Sequence, residues 1–234
     1  MLRPERYALF LTALREGLRL GELFALQWRD IQFGESDDDL NRFILVRHNF
    51  TRGQFTSTKS RKERRVDLSK ELRRELLKLR DKRILEAVTR GDFDEFRQPC
   101  ISKLVFPSQI GGPLNGSNVF NRDFLPSLEA AGIRRVTFHA LRHTFASLLI
   151  QQGTSPAYVK EQMGHSSIQV TVDIYGPLIP DGNLVRSTPL TRKQVRCHPQ
   201  PRRNPALRAS PRTIRKLLKW LVGPAGLEPA TNGL

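Results

Sequence analysis

The stretch Thr137–Gly176, TFHALRHTFASLLIQQGTSPAYVKEQMGHSSIQVTVDIYG, allows little but a succession of short helices separated by glycine. Leu141, Phe145, Leu148 and Leu149 recur at helical spacing, and Gly153 ends that run. Ser155 followed by Pro156 opens a second helix through Val159 to Met163, which Gly164 and His165 break. A third closes at Tyr175, ahead of Gly176 and Pro177. His139 and Arg142, three apart, project from nearly the same face of the first helix.

Together with His165 and Tyr175 these side chains are the kind that gather around a phosphodiester: a fixed cation, proton carriers and a hydroxyl nucleophile. Each also has a plainer reading. A histidine after glycine can cap a turn, and a tyrosine can be a core aromatic with its hydroxyl satisfied. Tyr158 is a second phenol in the same segment. His139 and His143 form an i, i+4 pair of the kind that binds zinc. Ala140, however, stands where a zinc protease helix needs Glu, and no third ligand lies at metal spacing, so neither metal nor cofactor is expected. His143 reads as a packing or hydrogen-bonding residue behind the site.

Upstream, Tyr7, Phe10, Leu11 and Leu14 predict a helix over 4–16 that Gly17 stops, and residues 22–28 a second, with Arg19 in the connection. That arginine alone reads equally well as a surface residue in a helix–helix turn. Residues 30–33 and 42–50 predict two antiparallel strands around the acidic turn GESDDD, and 63–68 a third. Lys59 then falls in the hairpin TRGQFTSTKSRK, among Arg61, Lys62, Arg64 and Arg65, a basic cluster that also suits a simple grip on phosphates. Ser69 is placed to cap a long helix whose apolar stripe is Leu72, Leu76, Leu79, Ile84 and Val88, with its charges on a solvated face. LVFPS at 104–108 reads as a buried segment, and 117–132 as a helix kinked or restarted at Pro126.

A formal net charge of +16 implies a polyanionic partner, and nucleic acid suits it better than an anionic membrane because no lipid-anchoring pattern accompanies the charge. Residues 191–234 hold ten Lys or Arg against the single acid Glu228, which leaves 29 basic and 22 acidic residues for the rest. This Pro/Arg-rich stretch reads as a disordered basic arm, in which RTIRKLLKWLV could form one short amphipathic helix. Two cysteines, Cys100 and Cys197, and no secretory signal fit a reducing cytoplasm.

HALRHTFAS, MGHSS and VDIYG resemble the last three signature boxes of the phage integrase or tyrosine recombinase family. REGLRLGELFALQWRDI at 15–31 resembles the first, with Arg19 at the family's first catalytic arginine, and TKSRKERRVDL resembles the hairpin carrying its catalytic lysine, at Lys59. The resemblance covers residues 3–182. It implies a mainly α-helical fold with a small three-stranded antiparallel sheet (α+β), a catalytic domain over 1–185 and a separate tail over 186–234.

The resemblance further implies site-specific cleavage and rejoining of double-stranded DNA through a 3′-phosphotyrosyl link, without ATP. Tyr175 would be the nucleophile, Arg19 and Arg142 the phosphate clamps, Lys59 the acid for the departing 5′-oxygen, His139 the keeper of the tyrosine proton, and His165 a donor to a phosphate oxygen. Arg61, Lys62, Arg64 and Arg65 would bind DNA, and synapsis would need a homo-oligomer of four protomers. The family's N-terminal helical DNA-binding domain is expected to lie outside this chain, and its C-terminal docking helix to be replaced by the Pro/Arg-rich stretch. A type IB topoisomerase and a non-catalytic DNA-binding remnant are the alternatives. One codon set for GLEPAT at 226–231 contains the complement of a transfer-RNA T-loop, so the reading frame is expected to run into a tRNA-gene attachment site.

Overall fold

A computed structural model of the chain describes residues 3–57 and 63–178. Lys59, Arg61, Lys62, the boundary near 185 and the basic tail lie outside the described residues.

The first helix, α1 (Pro4–Arg15), has Pro4 in its first turn and buries Leu9, Phe10, Leu11 and Leu14. Gly17 then turns the chain at φ 62°, where a Cβ would lie 2.4 Å from the Phe145 ring, so this turn accepts only glycine. The next helix, α2 (Leu20–Ala25), begins two residues before and ends three before the expected 22–28. A 3-10 turn, Trp28–Asp30, follows it. Leu18, Leu23 and Leu26 are buried, whereas Leu20 is only half-buried.

Strands β1 (Ile31–Gln32), β2 (Phe43–Val46) and β5 (Arg64–Asp67) form the expected three-stranded antiparallel sheet in the order β1-β2-β5. In β2 the alternation puts Ile44 and Val46 inward, with Ile44 opposite Ile31 on one side and Val66 on the other. The continuous strand expected over 42–50 is in fact two. After Val46 the chain leaves that sheet, and β3 (His48–Thr51) pairs with β4 (Gln54–Ser57) in a separate hairpin packed on α2. Five residues of what reads as the lysine loop, Thr51 and Gln54–Ser57, therefore belong to paired strands.

The long helix α3 (Lys70–Arg90) buries Leu72, Leu76, Leu79 and Ala87, but Val88 is exposed because the stripe drifts around the helix before its end. Its charges are not simply solvated: Arg73 and Arg74 both reach Asp37 of the acidic turn, and Arg73 also donates to the Phe33 carbonyl. Ser69 stands at the N-cap position, but its side chain does not cap the helix. Its N–H and hydroxyl both donate to the buried Glu16. Residues 116–130 run as a short helix α4 (Gly116–Asn118), a π-helical stretch Val119–Phe124, and α5 (Leu125–Ala130). Pro126 stands where the regular helix restarts.

Helices α6 (His139–Gln151), α7 (Pro156–Met163) and α8 (Ile168–Tyr175) close the described chain. The main core gathers α1, α2, the sheet and α3 around the edge-packed rings of Phe10, Phe124 and Phe138. A second core joins Phe145, Ala146, Ile150, Val159, Met163 and Tyr175. Arg142 lies on α6 between residues of the two cores. No helix among the described residues is long and apolar enough to cross a membrane.

Candidate active site

The C-terminal end of α7 organises the site. Gly164, at φ 61°, ends the helix in the left-handed conformation and lets the His165 N–H return to the Lys160 carbonyl and its own N–H to Glu161. The next three carbonyls, of Gln162, Met163 and Gly164, point beyond the helix. Each is taken by an arginine from a different part of the chain. Arg64 of β5 donates to Gln162 (3.2 Å), Arg142 of α6 to Met163, and Arg19, ahead of α2, to Gly164 (3.0 Å). The negative end of a helix dipole favours this company. Because carbonyls are neutral, the guanidiniums keep their charge.

One carboxylate enters the cluster. Glu22, in the first turn of α2, reaches back to the Arg19 N–H as the acidic half of a capping box (2.7 Å). The same carboxylate accepts Arg19 Nη1 at 2.9 Å and both Nη atoms of Arg64 at 2.7 Å. Burial pushes its pKa up, yet Arg64 and then Arg19 outweigh burial and hold it at about 2. Three guanidiniums against one carboxylate leave the cluster positive. Arg142 is 3% exposed and also donates to the Gly17 carbonyl. Burial and the nearby Arg19 push it down to about 9, still protonated at neutral pH. The surplus of positive charge suits a further anion.

The imidazoles feel the same field. Burial first, then Arg142 and Arg19, lower His139 and bring His165 to about 4, so both are neutral near pH 7. His165 Nδ1 lies 2.9 Å from the hydroxyl of the fully buried Thr171. With the hydroxyl donating, Nε2 carries the proton and is left to donate.

Tyr175 is 2% exposed, and its hydroxyl lies 2.7 Å from His143 Nδ1. His143 in turn packs edge-on against His139, with ring centroids 4.8 Å apart. The imidazole brought against the phenol is thus His143, read from sequence as a supporting residue, and not His139. The signal for it lay in helical spacing, since His139 and His143 stack one turn apart on α6. Tyr158 is committed elsewhere: its hydroxyl donates to Asp67 at 2.8 Å, and burial followed by that carboxylate raises its pKa.

Of the basic residues expected to grip DNA, Arg64 is turned inward and held by Glu22. Arg65 lies with its guanidinium 4.1 Å from the Phe43 ring centre and remains half-exposed. Among the described residues no group of three His, Cys, Asp or Glu is placed to hold a metal ion.

Residues 3–178 match the phage integrase family. The chain is 32% identical over 182 residues to a tyrosine recombinase XerC-like protein of Caldanaerobacter subterraneus subsp. tengcongensis, covering 74% of this chain and 46% of that protein. It is 30% identical over 189 residues to the ICEBs1 integrase of Bacillus subtilis, covering 77% and 48%. The chain therefore spans about half the length of these relatives. Among solved structures, the Tn1549 transposon integrase bound to circular intermediate DNA superposes with a TM-score of 0.56 at 23% identity, over 72% of this chain and 54% of that one. XerA recombinase gives 0.52 at 25% identity, over 74% and 51%. Match, fold and the order of the four boxes agree: this chain belongs to the phage integrase family, with the fold of a tyrosine recombinase catalytic domain.

Proposed function

We propose that the chain cleaves and rejoins strands of double-stranded DNA in site-specific recombination. The Tyr175 oxygen attacks a backbone phosphorus and forms the new phosphotyrosyl bond, while the bond from phosphorus to the 5′-oxygen breaks. The phenol's proton passes to His143, against which it stands, and Lys59 supplies a proton to the departing 5′-oxygen. Arg19 and Arg142 face the nonbridging oxygens, where negative charge grows, and His165 donates to one of them. A 5′-hydroxyl from another strand reverses these steps.

The observation that carries the reading is the gathering of three guanidiniums from three distant segments on one helix end, beside two imidazoles that burial and the nearby arginines keep neutral. Such a cluster is costly to assemble without an anion to receive. In the arrangement described, Tyr175 is buried, so attack requires its hydroxyl to give its proton to His143 and move out toward the bound phosphate. Double-stranded DNA and further copies of the chain are the partners of this reaction, and residues 186–234 add a basic arm to it.

The test uses a pool of duplexes of randomised sequence, each nicked on one strand. Cleavage close to a nick releases a short fragment that cannot return, and the adduct accumulates. Covalently held DNA that survives denaturation is the expected result. DNA retained only before denaturation would overturn strand cleavage in favour of a non-catalytic DNA-binding protein.

A further inference from the structure

Arg64 is built into the site more firmly than a residue of a basic loop has reason to be. Its side chain is 12% exposed, and Gly164 leaves room for it: a Cβ there would lie 2.9 Å from Arg64 Cδ. The strand that carries it is fastened to α7 at two further points, where the Asp67 N–H donates to the Gln162 side chain (3.0 Å) and Tyr158 donates to Asp67. Arg64 sits opposite Val46 in the sheet, so strand pairing fixes its backbone as well.

The bonds at Glu22 show what this placement achieves. Oε1 accepts from Nη1 of Arg64 and Nη1 of Arg19, and Oε2 accepts from Nη2 of Arg64 and the Arg19 N–H. Each oxygen is divided between the two arginines. Without Arg64, Arg19 would be the remaining cation bonded to a carboxylate 2% exposed, and the ion pair they already form at 2.9 Å would no longer be shared. The charge of Arg19 would then be cancelled by the protein and no longer offered to a phosphate.

We propose that Arg64 is a positioning residue for the phosphate site, acting through Glu22: it occupies the carboxylate so that Glu22 orients Arg19 without neutralising it. The proposal rests on the strand-cleavage reading above. Arg64 touches neither phosphate nor nucleophile, and lysine cannot replace it, since the role needs a planar fork that meets both carboxylate oxygens while Nε meets the Gln162 carbonyl.

The test compares adduct formation by the wild-type chain, Arg64→Met and Arg64→Lys on a nicked duplex captured from the randomised pool. The same duplex is also made with a methylphosphonate at the scissile position, each diastereomer separately. Replacing one nonbridging oxygen by methyl removes the charge that Arg19 answers. On the phosphate, Arg64→Met is expected to slow adduct formation 10- to 100-fold and Arg64→Lys by less, with DNA affinity within twofold of wild type. On one methylphosphonate diastereomer the penalty should shrink to threefold or less. Adding Glu22→Gln to Arg64→Met should restore part of the lost rate, because the neutral amide no longer competes for Arg19. Should the Met variant fail to fold, Arg64→Lys carries the same comparison. An unchanged rate on the phosphate, or equal penalties on phosphate and both methylphosphonates, would overturn the proposal and leave strand cleavage standing. No adduct from the wild-type chain would overturn both.

Discussion

The two halves of the site are prepared to different degrees. On the arginine side every group has fixed partners: Arg19, Arg64 and Arg142 each hold an α7 carbonyl, and Glu22 joins two of them. On the tyrosine side the proposed nucleophile is withdrawn, with the Tyr175 hydroxyl on His143 and its ring in the second core. Its helix, α8, shows Ile168, Val170 and Val172 to solvent. Charge stabilisation is most effective where donors need no reorganisation at the moment of reaction, and the arginine half has its donors already bonded in place. In the proposed reaction, a shift of α8 would bring the Tyr175 hydroxyl to the phosphate.

The difference predicts unequal responses to mutation. On the arginine half, Arg142→Ala should lower adduct formation by roughly 10²- to 10³-fold, the usual cost of removing a donor to a transition-state oxyanion, while DNA affinity falls less than tenfold. Retention of most of the wild-type rate would mean that this half is not where charge develops. On the tyrosine half, His143→Phe keeps the packing and removes the hydrogen bond. A net contribution of about 1 kcal/mol for such a bond makes opening about fivefold more frequent. Nitration of Tyr175 by tetranitromethane, followed by peptide mass spectrometry, should accelerate by that factor. No acceleration would show that the second core, and not His143, holds the phenol in place.

Two buried carboxylates that flank Arg19 sharpen the electrostatic side of the comparison. Glu22, lowered to about 2, contributes stability that is fully present above its unfolded pKa near 4.5 and is lost as pH falls from there through 2. Glu22→Gln should therefore cost on the order of 2–3 kcal/mol at pH 7 and much less near pH 2.5, measured by urea unfolding. Glu16 is buried to the same degree, but it meets only the two donors of Ser69 and a more distant Arg15. Burial prevails, and its pKa rises to about 7. Its sign is opposite: stability is lost as pH rises from about 4.5 through 7. Glu16→Gln should be neutral near pH 4 and stabilising by up to ~2 kcal/mol at pH 8. A destabilised variant at pH 8 would mean that Glu16 is held ionised after all.

The four boxes were legible because their chemistry is local: His139 and Arg142 share a helix face, and Gly17 and Gly164 mark turns that only glycine completes easily. The parts that escaped depend on distant or backbone partners. ERRVDL invites reading Arg64 as a phosphate contact, because its true partner lies 42 residues earlier at Glu22. The carbonyls that collect the arginines carry no side-chain signal beyond the helix stop at Gly164. The run 42–50 reads as one strand by composition, and only the packing of β3 on α2 divides it. Val88 fits a helical stripe by number alone, but by that turn the buried face of α3 has moved round to Ala87.

The central claim is that Tyr175, withdrawn in the arrangement described, is the group that bonds to DNA. Digesting the captured adduct with trypsin and nuclease and sequencing the modified peptide by mass spectrometry tests it most directly. The expected result is a nucleotide remnant on Tyr175 through a 3′-phosphate, no adduct with Tyr175→Phe, and DNA affinity for that variant within twofold of wild type. A remnant on Tyr158 or any other residue, or an adduct that survives Tyr175→Phe, would contradict it.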